Sequence, residues 1–173
     1  MKKKLTMFIL IAAGVAGMFV VYTNLTIERV GVEVGNAAVD FTLPTWTEEE
    51  RSLSSYSGDI VIMNMWASWC EPCTREIPDL LQLHEDYHAE GVSVLTINMN
   101  SYERTREDAQ RFVEEYNMTE APAVIDLEGD VADMYNIQYL PTTYIIDEDG
   151  IIVDKIPGEV SYELLEQKVL ELL

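Results

Sequence analysis

Apolar and polar positions alternate along the chain in runs, stripes and short alternations that predict most of its elements. Ile60 to Trp66 reads Ile-Val-Ile-Met-Asn-Met-Trp, a near-continuous apolar run of the kind found in strands buried on both faces. Val92 to Asn98 has the same character. Between them, from Cys73 to Tyr87, apolar residues recur at helical spacing, with Ile77, Leu80, Leu81 and His84 on one stripe, and Gly91 punctuates the segment. Glu103 to Asn117 predicts a second helix whose apolar face is Ala109, Phe112, Val113 and Tyr116. Ala123 to Asp126 predicts a short strand and Val131 to Tyr135 a short helix. Thr142 to Asp147 and Ile151 to Ile156 flank Glu148-Asp149-Gly150, an Asp-Gly turn between two strands. Ser161 stands where it can cap a last helix carrying Leu164, Leu165, Val169 and Leu172. Upstream, Phe41 to Leu43 and Arg51 to Leu53 are weaker strand candidates, joined across the polar stretch Thr47 to Glu50 as a hairpin. The predicted order is an N-terminal β-hairpin followed by β-α-β-α-β-α-β-β-α, an α/β fold with a mixed sheet flanked by helices.

The first residues form a separate object. Lys2, Lys3 and Lys4 precede an uncharged run of 18 residues, Leu5 to Tyr22. As a helix the run would span about 27 Å, close to the thickness of a hydrocarbon core. The lysines favour a cytoplasmic N-terminus. The expectation is a single transmembrane helix acting as a signal-anchor over residues 1–23, a linker over 24–33, and one domain over 34–173. The protein is then single-pass in the cell membrane, with its domain extracytoplasmic. A cleaved signal peptide is the alternative, although no clear Ala-x-Ala site follows the run.

Charge and cysteine content narrow the function. Of the 173 residues, 31 are Asp or Glu and 11 are Lys or Arg, for a net charge of −20. Bulk repulsion argues against nucleic acid as a partner. An acidic surface of this kind stays soluble by self-repulsion, which suits saline or alkaline surroundings. The two cysteines are too few for a disulfide framework.

Both cysteines sit in Trp69-Cys70-Glu71-Pro72-Cys73, directly after a buried strand and at the start of a helix. Two thiols at this spacing can close a small disulfide ring and reopen it. The first, exposed cysteine attacks a substrate disulfide, and the second resolves the mixed disulfide. A helix N-terminus favours the thiolate of Cys70, and Pro72 suits the first helical turn. Glu71, between the thiols, opposes that effect. Glu76 lies one turn beyond Cys73, where it is either a favourable acid near a helix N-terminus or a shuttle for the Cys73 proton. His84-x3-His88 completes a zinc-like spacing with the two cysteines, but about 16 Å of helix separates Cys73 from His84, too far for one ion. No metal and no cofactor are expected. Leu140-Pro141-Thr142-Thr143 precedes the last apolar strands. From the residues alone, Pro141 is most simply a trans loop proline.

Taken together, Asp40-Phe41-Thr42-Leu43, Asn64-Met65-Trp66-Ala67-Ser68-Trp69-Cys70-Glu71-Pro72-Cys73 and Leu140-Pro141-Thr142-Thr143 resemble the thioredoxin superfamily, and within it the ResA/TlpA-like extracytoplasmic thiol–disulfide oxidoreductases. The resemblance covers about Val34 to Leu173. It implies a thioredoxin-like fold, with Cys70 as nucleophile, Cys73 as resolving thiol and Glu76 as active-site acid. Pro141 would be a cis-proline that pairs with the substrate backbone, and Trp69, Glu71, Pro72, Leu140 and Pro141 would form the substrate-contacting surface. It further implies a monomer that reduces protein disulfides, in particular the Cys-x-x-Cys of apocytochrome c before haem attachment, with electrons from a membrane thiol–disulfide donor. Cytosolic thioredoxins carry a buried acid two residues before the Trp66 position; here that residue is Asn64, which cannot ionise, so proton transfer falls to Glu76 or to water. A general disulfide oxidase or isomerase would share the fold and differ in potential. A peroxidase is the weaker alternative, since no cysteine stands in a Pro-x-x-x-Thr-x-x-Cys setting. A zinc-binding or chaperone-like module is the non-enzymatic one.

Overall fold

A computed structural model describes residues 11–18, 29–118 and 123–173 of the chain. Residues 11–18 are helical; the remainder of the expected anchor and residues 24–28 of the expected linker lie outside the described residues. Among the described residues no helix is long and apolar enough to cross a membrane.

Two small pairings open the folded region. Val30–Gly31 (β1) pairs in parallel with Ala37–Ala38 (β2), a contact too short to leave a sequence signal. Thr42–Pro44 (β3) and Glu50–Ser52 (β4) form the expected antiparallel hairpin, in register Leu43 to Arg51.

The main sheet is built on Ile60–Trp66 (β5), buried at every position. On one side β5 pairs in parallel with Val92–Asn98 (β6), which pairs in parallel with Ala123–Ile125 (β7). On the other it pairs antiparallel with Thr142–Ile146 (β8), which pairs antiparallel with Ile152–Pro157 (β9). The sheet order is therefore β7-β6-β5-β8-β9, the mixed sheet that the element order predicts. Asp147 closes the β8–β9 turn by accepting the Ile151 N–H at 2.8 Å.

Alternate residues of the sheet feed two cores, as the period-2 geometry of a strand requires. Ile60, Ile62 and Trp66 face three helices: Glu71–Tyr87 (α1), Arg106–Glu115 (α2) and, beyond a short helix on the opposite side, the C-terminal Tyr162–Leu170. Val61, Met63 and Met65 face the hairpin and that short helix, Asp130–Met134 (α3); the C-terminal helix is α4. Ile77, Leu80 and Leu83 of α1 are fully buried, each contributing about 1.5–3 kcal/mol by area. Leu83 takes the place on the buried stripe that the spacing assigned to His84, which is only half-buried. Ser161 caps α4 as expected, accepting the Leu164 N–H at 3.4 Å.

Two helix starts differ from the pattern-based expectation. α1 begins at Glu71 and not Cys73, with Cys70 as its N-cap. α2 begins at Arg106 and not Glu103, because Thr105 caps it by accepting the Asp108 N–H at 3.2 Å. Asn100–Tyr102 instead form a single 3₁₀ turn. That leaves Glu103 outside the helix, free to serve another element.

Candidate active site

The site begins where β5 ends. Trp66 is buried against Phe112 of α2, ring centroids 4.7 Å apart, and the chain then turns through Ala67, Ser68 and Trp69 into the N-terminus of α1. Cys70 and Cys73 are joined in a disulfide, with their Cα atoms 5.3 Å apart. The Cys70 sulfur accepts the Cys73 N–H at 3.3 Å, so it stands in the place of an ordinary N-cap oxygen. Pro72 occupies the first turn, where its missing N–H costs nothing.

The expectation of an exposed first cysteine needs a correction. In this oxidised state Cys70 is 4% exposed and Cys73 is fully buried.

Glu76 is the clearest anomaly in the core. It is 1% exposed, and three residues beyond Cys73 it shares that cysteine's helix face. Its Oε1 accepts the Asn64 amide N–H at 2.8 Å, and its Oε2 accepts the Val160 backbone N–H at 2.9 Å. Burial pushes its carboxyl up to about 7, against the two hydrogen bonds, which lower it; the charges of Glu159 and Asp79 add to the rise. A carboxyl poised there can take a proton near neutral pH.

Asn64 holds Glu76 and also donates to the Thr143 hydroxyl at 3.0 Å. Its own Oδ1 is buried without a partner among the described residues. An amide that turns over about its last bond would present that oxygen to Glu76 instead. Asn64 therefore suits either protonation state of the acid: a donor to the carboxylate, an acceptor from the carboxylic acid.

Leu140–Pro141 is a cis peptide bond, so Pro141 is not the trans loop proline of the simplest residue-based expectation; it has the form that the resemblance implies. β8 runs antiparallel to β5 with Thr142 opposite Met65. Pro141 thus lies level with the end of β5, at the edge of the sheet from which the cysteine loop departs. The Pro141 carbonyl accepts the Gly158 N–H at 2.8 Å, and Leu140 packs against both cores.

The outer residues are held differently. Trp69 is 48% exposed, yet its indole N–H donates to the Tyr102 carbonyl at 2.7 Å. Glu71 is exposed and pairs with Arg75 at 3.0 Å, and Arg75 in turn pairs with Glu159 at 2.6 Å. The negative charge of Glu71 beside the thiols is therefore offset by a neighbouring cation. His84 and His88 face each other, ring centroids 4.7 Å apart, near the far end of α1. Among the described residues no group of three or more His, Cys, Asp or Glu is placed to hold a metal ion.

The motif points to the cysteines, and the resemblance to Glu76 and Pro141. Asn64 stands out in the sequence only as a residue that cannot ionise, although a lone amide in an apolar run is a signal of its own. Nothing in the sequence points to Val160, whose contribution is a backbone N–H from a residue 84 positions away.

Comparison with known proteins places these features in context. Residues 34–155 match the model of the AhpC/TSA family. The thioredoxin-like protein YneN of Bacillus subtilis is 37% identical over 148 residues, covering 86% of this chain and 85% of that one. The thiol–disulfide oxidoreductase ResA of Geobacillus kaustophilus is 36% identical over 149 residues, covering 86% and 83%. Among solved structures, a Chlorobium tepidum protein assigned as the thiol:disulfide interchange protein DsbE superposes with a TM-score of 0.74 at 30% identity, covering 82% of this chain and 99% of that one.

Proposed function

Because this chain belongs to the AhpC/TSA family, as a thioredoxin-like thiol–disulfide oxidoreductase of the ResA type, we propose that it works as a reductase of protein disulfides outside the cytoplasm. Residues 1–23 anchor it in the cell membrane as one transmembrane helix with its N-terminus in the cytoplasm, the expected linker 24–33 serves as the tether up to the point where Val30–Gly31 joins the folded region, and 34–173 carry the chemistry as a monomer. The Cys-x-x-Cys of apocytochrome c, before haem attachment, is the substrate proposed. A membrane thiol–disulfide protein supplies the electrons.

In the reduced protein the Cys70 thiolate attacks one sulfur of the substrate disulfide. A Cys70–substrate mixed disulfide forms and one substrate thiolate leaves. Glu76 takes the proton of Cys73, whose thiolate then attacks the Cys70 sulfur. The mixed disulfide breaks, the substrate leaves with both thiols reduced, and the Cys70–Cys73 disulfide remains. A donor dithiol reverses the last state by the same two exchanges. Pro141, Leu140, Trp69, Glu71 and Pro72 form the surface over which the substrate passes.

The observation that carries the proposal is the buried Glu76 carboxyl, with a pKa of about 7, on the helix face of the resolving thiol. A base tuned to neutral pH serves the deprotonation of Cys73 that releases the substrate as a dithiol. The absence of a histidine between the cysteines favours the same direction.

Equilibration with thiol buffers tests the direction. A reduction potential well below the roughly −120 mV of strong oxidants supports the reductase. A value near it makes the protein an oxidase, with the cysteine roles unchanged.

A further inference from the structure

The turn between β6 and α2 is tied to the cysteine loop more tightly than a surface turn needs to be. The Glu103 carboxylate takes three donors. Its Oε1 accepts the Ser68 backbone N–H at 2.6 Å and the Asn98 amide N–H at 2.7 Å, and its Oε2 accepts the Ser68 hydroxyl at 2.6 Å. One residue earlier, the Tyr102 carbonyl accepts the Trp69 indole N–H at 2.7 Å. The Tyr102 hydroxyl reaches the other way and donates to the Ile137 carbonyl at 3.1 Å, four residues before Pro141.

We propose that Glu103 is a positioning residue for the disulfide exchange, holding the Ser68–Cys70 segment in register with the proline loop through a brace made by Tyr102 and Glu103. Glu103 does not touch the sulfurs. Its bonds stop at Ser68, two residues before Cys70, and at Asn98, the last residue of β6. Asn98 is itself fixed by the sheet opposite Trp66. The carboxylate therefore ties the departing end of β5 to the end of its neighbour at the point where the chain leaves the sheet. Charge-assisted bonds to a backbone N–H are short and directional, as the 2.6 Å distance indicates. A loop fixed this way keeps the Cys70 sulfur on the line of attack, and a misplacement of about 1 Å costs such a reaction up to about a hundredfold.

The same brace accounts for the late start of α2. Were Glu103 in the helix, as its sequence pattern suggests, its carboxylate would be carried away from Ser68. Thr105 caps the helix at Arg106 and leaves Glu103 on an extended backbone, with φ −70° and ψ 155°.

The inference rests on Cys70 as the nucleophile. Cys70→Ser abolishes exchange outright if that reading holds, whereas the brace predicts graded losses, so the two fail separately. The test is steady-state reduction of a protein disulfide by Glu103→Gln, Ser68→Ala and the double variant, with thermal melting of each. Gln keeps the shape but offers one acceptor oxygen in place of two. Ser68→Ala is the milder change, removing only the hydroxyl bond and leaving the backbone one. The expected result is a fall in kcat of at least about tenfold for Glu103→Gln, a smaller fall for Ser68→Ala, and KM within twofold of the parent. The double variant falls no further than Glu103→Gln alone, because both act through one contact. Unchanged kcat, losses that simply multiply in the double variant, or a kcat loss accounted for by the unfolded fraction would overturn it. If Glu103→Gln does not fold, Ser68→Ala decides by itself: kcat reduced at an unshifted Tm supports the brace, and parental kcat refutes it.

Discussion

Glu76→Gln turns the buried carboxyl into a thermodynamic measurement. Burial raises the pKa of Glu76 from 4.5 to about 7 in the folded protein. The native state then binds its proton more tightly than the unfolded chain does. The resulting stability is fully present below about pH 4.5 and is lost as pH rises through about 7. At about 1.36 kcal/mol per pKa unit, the loss is on the order of 3 kcal/mol. A glutamine at this position cannot titrate. It introduces a constant cost, because Asn64 Nδ2 and the Val160 N–H are both donors to the two oxygens of Glu76, and one would face an amide nitrogen unless Asn64 turns over. That cost does not depend on pH. The difference in unfolding free energy between parent and variant therefore isolates the carboxyl, since every other titrating group is common to both. Urea unfolding of the oxidised proteins between pH 4.5 and 8.5 is the assay. The parent should lose on the order of 3 kcal/mol relative to the variant across that range, most of it between pH 5 and 7. A difference that stays flat over the whole range would refute the claim that burial perturbs this group.

Other perturbations have equally definite outcomes. Cys73→Ser should accumulate a Cys70–substrate mixed disulfide, detectable on non-reducing gels; if no adduct forms, Cys73 is not the resolving thiol. Leu80→Ala removes a fully buried side chain of α1 and should cost about 2–5 kcal/mol in a denaturant titration; a cost below 1 kcal/mol would mean the helix face is packed more loosely than described. Ser161→Ala deletes the cap of α4 and should cost about 1 kcal/mol, leaving exchange activity at the parental level.

The legibility of this chain follows the range of its interactions. β5 and β6 were readable to the residue because strands buried on both faces are written as unbroken apolar runs. The α4 cap was readable because Ser161 and its partner Leu164 are three positions apart. The start of α2 is set by a local cap, Thr105 on the Asp108 N–H, that the apolar stripe does not show; what holds Glu103 outside the helix is Ser68, 35 residues earlier. The disulfide pair announces itself within one turn of helix. The environment of Glu76 does not, because it depends on Asn64, Thr143 and Val160, which only the closed sheet brings together. The pairing β1–β2 has two residues per strand, below what any periodicity can register. The near-complete burial of Cys70 depends on the residues packed around it in the core that it shares with Trp66 and Ile77, which its position at a helix start does not specify.

The distance along the chain between Glu76 and its partners has a consequence for biogenesis. A contact spanning 84 residues closes a far longer loop than the local helices or the β8–β9 hairpin, at a larger entropic cost. Until β8 has docked beside β5, the acid stands in water as an ordinary glutamate and Cys70 and Cys73 are ordinary thiols. An incompletely folded chain therefore carries two cysteines but no tuned proton acceptor. The proton transfer assigned to Glu76 thus depends on the closing of the sheet. Burial under segments distant in the chain, not any one bond, is what tunes the acid, so its proton affinity belongs to the closed fold and not to α1 alone.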